Sequence, residues 1–229
     1  MGGLGCPAAL ALADSGATLL LADDDLVEAS NLHRQILFDE SSVGEHKLDA
    51  ARAALLRRGV PEARIELVRT RLLPDNARAL VASVDLVLEG SDNFATKFLA
   101  ADACYLESRP IVHGAAVRLT GTVWSVSPRG LPCYRCLFED VPQGAQAGCA
   151  EAGVLGPVVG ICGALMAELA LSVLTGDESR NGRIYTFHGL RNLLRDVSVS
   201  PRPSCSLCGP LRSISQIEET RYTAPGCAA

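Results

Sequence analysis

Short apolar runs alternate with amphipathic stretches along the chain, and that alternation predicts its elements. "MGGLGCPAALALADSGA" reads as a glycine turn leading into a helix, with Pro7 near the first turn and Gly16 near the end, both favoured positions. "TLLLADD" is apolar without two-residue periodicity, the pattern of a strand covered by helices on both faces. Helix, strand and helix are predicted over 44–58, 64–70 and 74–82, and "VDLVLEGSDN" is another buried strand. A helix over 93–107 and the strand pair "PIVHGAAV" and "TGTVWSVS" follow. Cysteine-containing loops, one long apolar helix and two late strands, "RIYTFHG" and "LRDVSVS", complete the chain. This order predicts an α/β fold with a Rossmann-like, doubly wound, mostly parallel sheet and an antiparallel extension toward the carboxyl end. Residues 1–209 read as one domain and 210–229 as a polar tail.

Composition narrows the classes. At 229 residues the chain can bury a sizeable core, and its formal charge of −5 argues against a general nucleic-acid binder, whose affinity leans on a basic surface. No basic-plus-apolar leader is visible, so a cytoplasmic protein is expected. The membrane candidate is "GVLGPVVGICGALMAELALSVL", which Pro157 and Glu168 interrupt; a buried or interface helix is expected there.

Candidate chemistry sits at the ends of the apolar strands. "GGLG" at 2–5 is most of a nucleotide-binding glycine turn, where backbone N–H groups and a helix start face phosphate; a glycine turn without ligand reads equally well. Asp23 closes the next strand, about twenty residues on, where an acid can accept hydrogen bonds from a ribose. Asp24 reads as a solvated loop acid. Arg34 offers a fork of donors to phosphate oxygens and Asn31 adds an amide. Lys47, early in the following helix, either reaches the same phosphates or is an ordinary exposed lysine. This much cation suits a triphosphate better than a hydride-transfer site. Asp92, in "GSDN", either holds Mg²⁺ or caps a helix.

The nine cysteines divide. "CYRC" and "CSLC" place Cys133, Cys136, Cys205 and Cys208 in two C-x-x-C knuckles, suited to a structural Zn²⁺ that staples the carboxyl-terminal strands to the main sheet; a redox dithiol is the rival, but it needs only one pair. Cys6, Cys104 and Cys162 read as core fillers, and Cys227 lies in the tail. Cys149, on a glycine-containing loop before the long helix, is either a nucleophile or an incidental loop residue.

Together the motifs "GGLGC", "DDDLVEASNLHRQ", "VGEHK", "SDN", "GAAVRLTG", "PCYRCL", "CAEAGVLGPVVG" and "CSLCG" resemble the MoeB/ThiF family, bacterial relatives of ubiquitin-activating enzymes, from Gly2 to about Gly209. The resemblance implies an adenylyltransferase that uses ATP and Mg²⁺ on the C-terminal Gly-Gly carboxylate of a small ubiquitin-like sulfur carrier, for molybdopterin- or thiamine-type biosynthesis. It implies Gly3 against the ATP, Asp23 on the ribose, and Ser30, Asn31, Arg34 and Lys47 along the phosphates. Asp92 and Asn93 would serve Mg²⁺ and nucleotide, and Cys149 matches a persulfide or thioester position of some members. It further implies a homodimer and a separate sulfur-donor protein. Family members also carry an N-terminal helix and a first strand ending at the turn's first glycine. That segment lends an arginine to the partner's ATP site. This sequence starts inside the turn, so a central strand is expected to be missing, its neighbours to face a gap, and the gene start to be misassigned or truncated. Two rivals remain: an NAD-dependent oxidoreductase on the same sheet, and a non-catalytic zinc-stapled scaffold that binds a carrier.

Overall fold

The computed structural model describes residues 1–142 and 153–222. Its helices are α1 (Gly5–Leu12), α2 (Lys47–Arg57), α3 (Ala77–Ala82), α4 (Phe94–Leu106), the single turn α5 (Tyr134–Phe138) and α6 (Gly156–Leu174). The strands are β1 (Leu19–Ala22), β2 (Ile65–Val68), β3 (Val87–Glu89), β4 (Ile111–Val117), β5 (Thr120–Val126), β6 (Arg183–His188) and β7 (Leu193–Ser198). All but the single turn α5, which lies in a segment read as loop, and β7, which starts one residue early, fall inside the segment that their apolar pattern predicts. Helix α1 is followed by Gly16 at φ 86°, a left-handed conformation that glycine adopts without a Cβ penalty.

The architecture is mixed α/β; the sheet expected from the element order is divided, with the gap that the family resemblance implied, and it is less parallel than expected. The strands form two sheets: a parallel pair β1–β2, and a five-stranded sheet in the order β3-β4-β5-β6-β7. Only β3–β4 is parallel in the second sheet; β4–β5, β5–β6 and β6–β7 are antiparallel. The reason lies between β1 and β3. Strand–helix alternation correctly makes each pair parallel, but no strand among the described residues joins the two pairs, so hydrogen bonding stops there.

Three large apolar clusters and a smaller one at the cysteine knuckles fill the molecule. One packs α1 and α2 on β1 and β2 through Leu12, Leu21, Leu48 and Leu55. A second lies between α4 and β4–β5, around Phe98, Ile111, Trp124 and Tyr134. The third gathers Leu4, Val112, Val123, Val159 and Met166. Helix α6 contributes to both the first and the third clusters, α1 to the first and its N-cap Leu4 to the third, and together they bridge the two sheets. Their contact is close: a Cβ on Gly163 would stand 2.7 Å from the Leu4 carbonyl oxygen and 2.4 Å from Pro7. The long apolar helix α6 is long and apolar enough to cross a membrane, yet here Val158, Cys162, Met166 and Leu169 are buried in the fold. Its Glu168 pairs with Arg180.

Beyond the cysteine knuckles, the segment read as a polar tail is docked as far as Tyr222. Ile214 packs with Cys133, Cys205 and Leu207, and Tyr222 joins the cluster around Phe98.

Candidate functional site

Loop 23–35 leaves β1 and returns past the glycine turn. Its acids are arranged by cations from two later elements. Lys47, the first residue of α2, is buried rather than an ordinary surface lysine, and its Nζ lies 2.6 Å from Asp25 and 3.9 Å from Asp23. The hydrogen bond from Lys47 holds the Asp25 carboxyl below the usual carboxylate range. The Met1 ammonium bonds Asp23 as well. Asp24 is exposed, as expected of a loop acid, but Arg71 grips both its oxygens at 2.9 Å and also reaches Asp25 at 3.2 Å. Arg71 went unnoticed in the sequence because it lies after β2, with no motif around it.

Further along the loop, Asn31 Nδ2 and Ser30 Oγ both donate to Glu28, at 3.1 and 3.3 Å, and Arg34 Nη2 donates to the Asn31 amide oxygen. Arg34 lies against the glycine turn: a Cβ at Gly3 would stand 3.3 Å from its Cγ and Cδ. The start of α6 closes on the same spot, since a Cβ at Gly156 would meet the His33 carbonyl oxygen at 2.4 Å. Small residues are needed where these backbones approach.

The other wall is the segment after β3. A Cβ on Gly90 would stand 3.0 Å from the Leu4 Cβ, so the start of this segment abuts the glycine turn. Asn93, not Asp92, caps α4: its Oδ1 accepts the Thr96 N–H at 2.8 Å. That leaves Asp92 exposed, and among the described residues no hydrogen bond or ion pair reaches it. The helix-cap alternative for Asp92 is thereby removed.

Behind that segment is a charged group that went unforeseen. Glu89 is buried at the end of β3, where its Oε2 accepts from Lys97 Nζ at 2.9 Å and from His113 Nδ1 at 3.3 Å. Its Oε1 accepts from the Ser91 N–H at 2.7 Å and from the Ser91 hydroxyl. Lys97 also donates to the Gly114 carbonyl at 2.6 Å. Burial alone would raise the Glu89 carboxyl; the Lys97 charge and the His113 and Ser91 hydrogen bonds overcome it and hold it at about 2. Burial also pushes the His113 imidazole down. The signal was in the sequence: an acid inside an otherwise apolar strand needs a buried partner.

The four knuckle cysteines converge. Cys133 and Cys205 Sγ are 3.4 Å apart, Cys136 and Cys208 are 3.3 Å apart, Cys133 and Cys136 are 3.8 Å apart, and all four sulfurs lie within 4.8 Å of one another. Thiolates around one zinc at about 2.3 Å stand roughly 3.8 Å from each other, so the donor set fits a closed tetrahedral ion. Burial and crowding push the Cys133 thiol up, and Cys208 up to about 12, an arrangement that a divalent charge would relieve. The Arg202 N–H donates to Cys136 Sγ at 3.3 Å, as an outer partner of a metal thiolate does. Between the first two cysteines, Arg135 is buried and forks onto Asp102 of α4, with Nε 2.9 Å from Oδ1 and Nη2 2.9 Å from Oδ2. The Tyr222 hydroxyl donates to Asp102 Oδ2 at 2.8 Å. By contrast Cys6 and Cys162 are core residues whose thiols burial raises to about 11, and Cys104 is raised further. Cys149 and Cys227 lie outside the described residues.

The ThiF family matches residues 1–207. Among curated proteins, the chain is 38% identical over 224 residues to a SAMP-activating enzyme E1 of Haloferax volcanii, covering 96% of this chain and 82% of that protein. It is 37% identical over 220 residues to the adenylyltransferase and sulfurtransferase MOCS3 of Anopheles gambiae, covering 94% of this chain and 50% of the relative. The chain thus spans about half the length of the MOCS3 proteins it matches. In fold it matches the crystal structure of E. coli MccB with a TM-score of 0.76 at 20% identity, over 93% of this chain and 64% of that one.

Proposed function

Because the chain belongs to the ThiF family, we propose that it is an adenylyltransferase that uses ATP to activate the C-terminal carboxylate of a small ubiquitin-like protein, a sulfur carrier ending in Gly-Gly. One observation carries the reading. The glycine turn meets both Arg34, which lies against Gly3, and Gly90, which lies against Leu4 two residues before the unpartnered Asp92. A nucleotide laid over the turn would have its sugar at Asp23 and its phosphates along Ser30, Asn31, Arg34 and Lys47.

The chemistry then needs little proton transfer. A carrier carboxylate oxygen attacks the α-phosphorus, the bond to the bridging oxygen breaks, and pyrophosphate leaves with the electron pair. Arg34 and Lys47 offset charge growing on the phosphate oxygens, so catalysis is orientation plus electrostatic stabilisation. Lys47 would exchange Asp25 for phosphate, and Asp23 would exchange the Met1 ammonium for ribose hydroxyls. Asp92, assisted by Asn93, is the residue to hold Mg²⁺, which favours one or two carboxylates plus phosphate oxygens and would neutralise the leaving group. Cys133, Cys136, Cys205 and Cys208 would hold a structural Zn²⁺. Cys149 is a candidate for a later covalent sulfur-transfer step. A soluble cytoplasmic homodimer served by a separate sulfur donor, in molybdopterin- or thiamine-type biosynthesis, completes the reading.

The test is pyrophosphate release on mixing the protein with ATP, Mg²⁺ and a Gly-Gly-terminated carrier. Carrier-dependent release is expected, and Asp92→Ala should lower it at least a hundredfold without lowering thermal stability, because Asp92 is exposed. ATP binding without release would instead favour a non-catalytic carrier-binding scaffold.

A further inference from the structure

The geometry points to a positioning role for the buried Glu89–Lys97 pair: we propose that it clamps the Gly90–Asn93 segment, and so sets the place of Asp92, two residues from the Gly90 that meets the glycine turn. The inference rests on the adenylyltransferase reading above and extends it to two residues that touch neither nucleotide nor carrier.

Glu89 uses both oxygens, in two directions. Oε1 takes the backbone N–H and hydroxyl of Ser91, the residue immediately before Asp92. Oε2 takes Lys97 from α4 and His113 from β4. Lys97 carries the tie onward to the Gly114 carbonyl. Gly114 is itself fixed, because Met166 of α6 fills the space where a Cβ would stand, 2.3 Å from its Sδ. The far end of the segment is held by the Asn93 cap on α4 and by the Lys97 N–H to the Asn93 carbonyl at 3.3 Å. Thus β3, α4 and β4 meet on one carboxylate, and the exposed, unpartnered Asp92 follows directly on the Ser91 that it holds.

Core stability alone does not account for such a group. Desolvating two charges is costly, and apolar residues of similar volume commonly stabilise a core as well or better. A carboxylate with four donors does what apolar packing cannot: it fixes the direction of a short backbone segment by hydrogen bonds.

Three proteins decide it: the wild type, Ser91→Ala, and the double variant Glu89→Gln/Lys97→Met, which removes both charges together and leaves neither unpaired. Carrier-dependent pyrophosphate release is measured with amide hydrogen exchange over 90–93. The expected result is a kcat lowered several-fold in Ser91→Ala and at least thirtyfold in the double variant. KM for the carrier should stay within twofold, and exchange at 90–93 should be at least tenfold faster, with 98–106 unchanged. Wild-type kcat in both variants, or unchanged exchange at 90–93, overturns the proposal. If the double variant does not fold, Ser91→Ala, which spares the pair, decides by the same criteria. If the wild type releases no pyrophosphate with any carrier, the adenylylation reading fails, and the clamp stands or falls on the exchange measurement alone.

Discussion

Replacing Asp102 by leucine should be among the most damaging single changes in the protein, and adding Arg135→Met to it should cost far less than that substitution costs alone. Asp102 and Arg135 are 0% and 1% exposed, so neither charge has water to fall back on. The guanidinium donates to both carboxylate oxygens, stands over the Phe98 ring at 4.8 Å, and reaches Asp140 and the Glu139 carbonyl at 3.0 Å each. Removing Asp102 leaves the Nε and Nη2 donors unpaired in the core and orphans the Tyr222 hydroxyl. Breaking a buried pair from one side costs about 3–5 kcal/mol, against a total stability for a domain of about 5–15 kcal/mol. Arg135→Met with Asp102 retained should cost a similar amount, since the bare carboxylate keeps only Tyr222. The double variant removes both charges, and the cycle should show a coupling of about 3 kcal/mol. The assay is the urea midpoint of the wild type, both single variants and the double, with zinc content as control because Arg135 sits between two of the knuckle cysteines. Costs that add to within about 0.5 kcal/mol would refute the reasoning, since independent sites behave that way.

Cys208→Ser should abolish stoichiometric zinc and lower the melting temperature, because Ile214 and Leu207 pack on the same four-sulfur cluster; metal analysis finding one zinc per chain in the variant would remove the assignment. Stability should fall in acid in two stages, and urea titrations across pH read both. His113 has a depressed folded pKa, so the unfolded chain takes up its proton first as pH falls below about 6.5, and stability declines from there. Glu89 is held at about 2, against 4.5 ordinarily, so its contribution is fully present above 4.5 and is lost as pH falls from 4.5 to about 2, roughly 3 kcal/mol in all. A His113→Gln variant that keeps the decline between pH 6.5 and 5 would show that another group causes it. Gly163→Ala should cost about 1–3 kcal/mol by overpacking the α1–α6 contact, measured by the same denaturation; an unchanged midpoint would mean that the helices separate without penalty.

Much of this was legible in the sequence because the signals were local. Pro7 and Gly16 bracket α1, and "TLLLADD" and "PIVHGAAV" carry their strands in their own apolarity. The paired C-x-x-C knuckles announced a four-sulfur cluster across a separation of some seventy residues, since the rival redox dithiol needs only one pair. What escaped was pairing. Asp24 looked like a solvated acid because its partner, Arg71, is 47 residues away. Asp92 and Asn93 are adjacent, and only geometry shows that Asn93 caps the helix. Ile214 and Tyr222 looked like parts of a polar tail because the surfaces that bury them come from α4, β4–β5 and the knuckles. The split between β1 and β3, by contrast, was foreseeable only through the family resemblance, which implied a gap there; alternation of elements constrains strand adjacency without specifying it.

That split bears directly on the candidate site. Asp23, Arg34 and Lys47 belong to the β1–β2 side, whereas Asp92 and Asn93 belong to β3 and α4, and no backbone ladder joins the two sides. Their relative position is set by packing alone, chiefly α1 and α6 bridging two apolar clusters and Leu4 lodged against Gly90. Packing of this kind is sensitive to a single methyl, as the near-contact of Gly163 with the Leu4 carbonyl illustrates. Hence a substitution in the α1–α6 contact, far from any phosphate-binding side chain, should change the separation of Asp92 from Lys47 and with it the rate. A misplacement of about 1 Å is enough to cost about a hundredfold where catalysis depends on orientation. Gly163→Ala is therefore the sharper probe of the site than its distance suggests: kcat should fall by more than its loss of stability predicts, whereas a change on the β7 side of the second sheet should not.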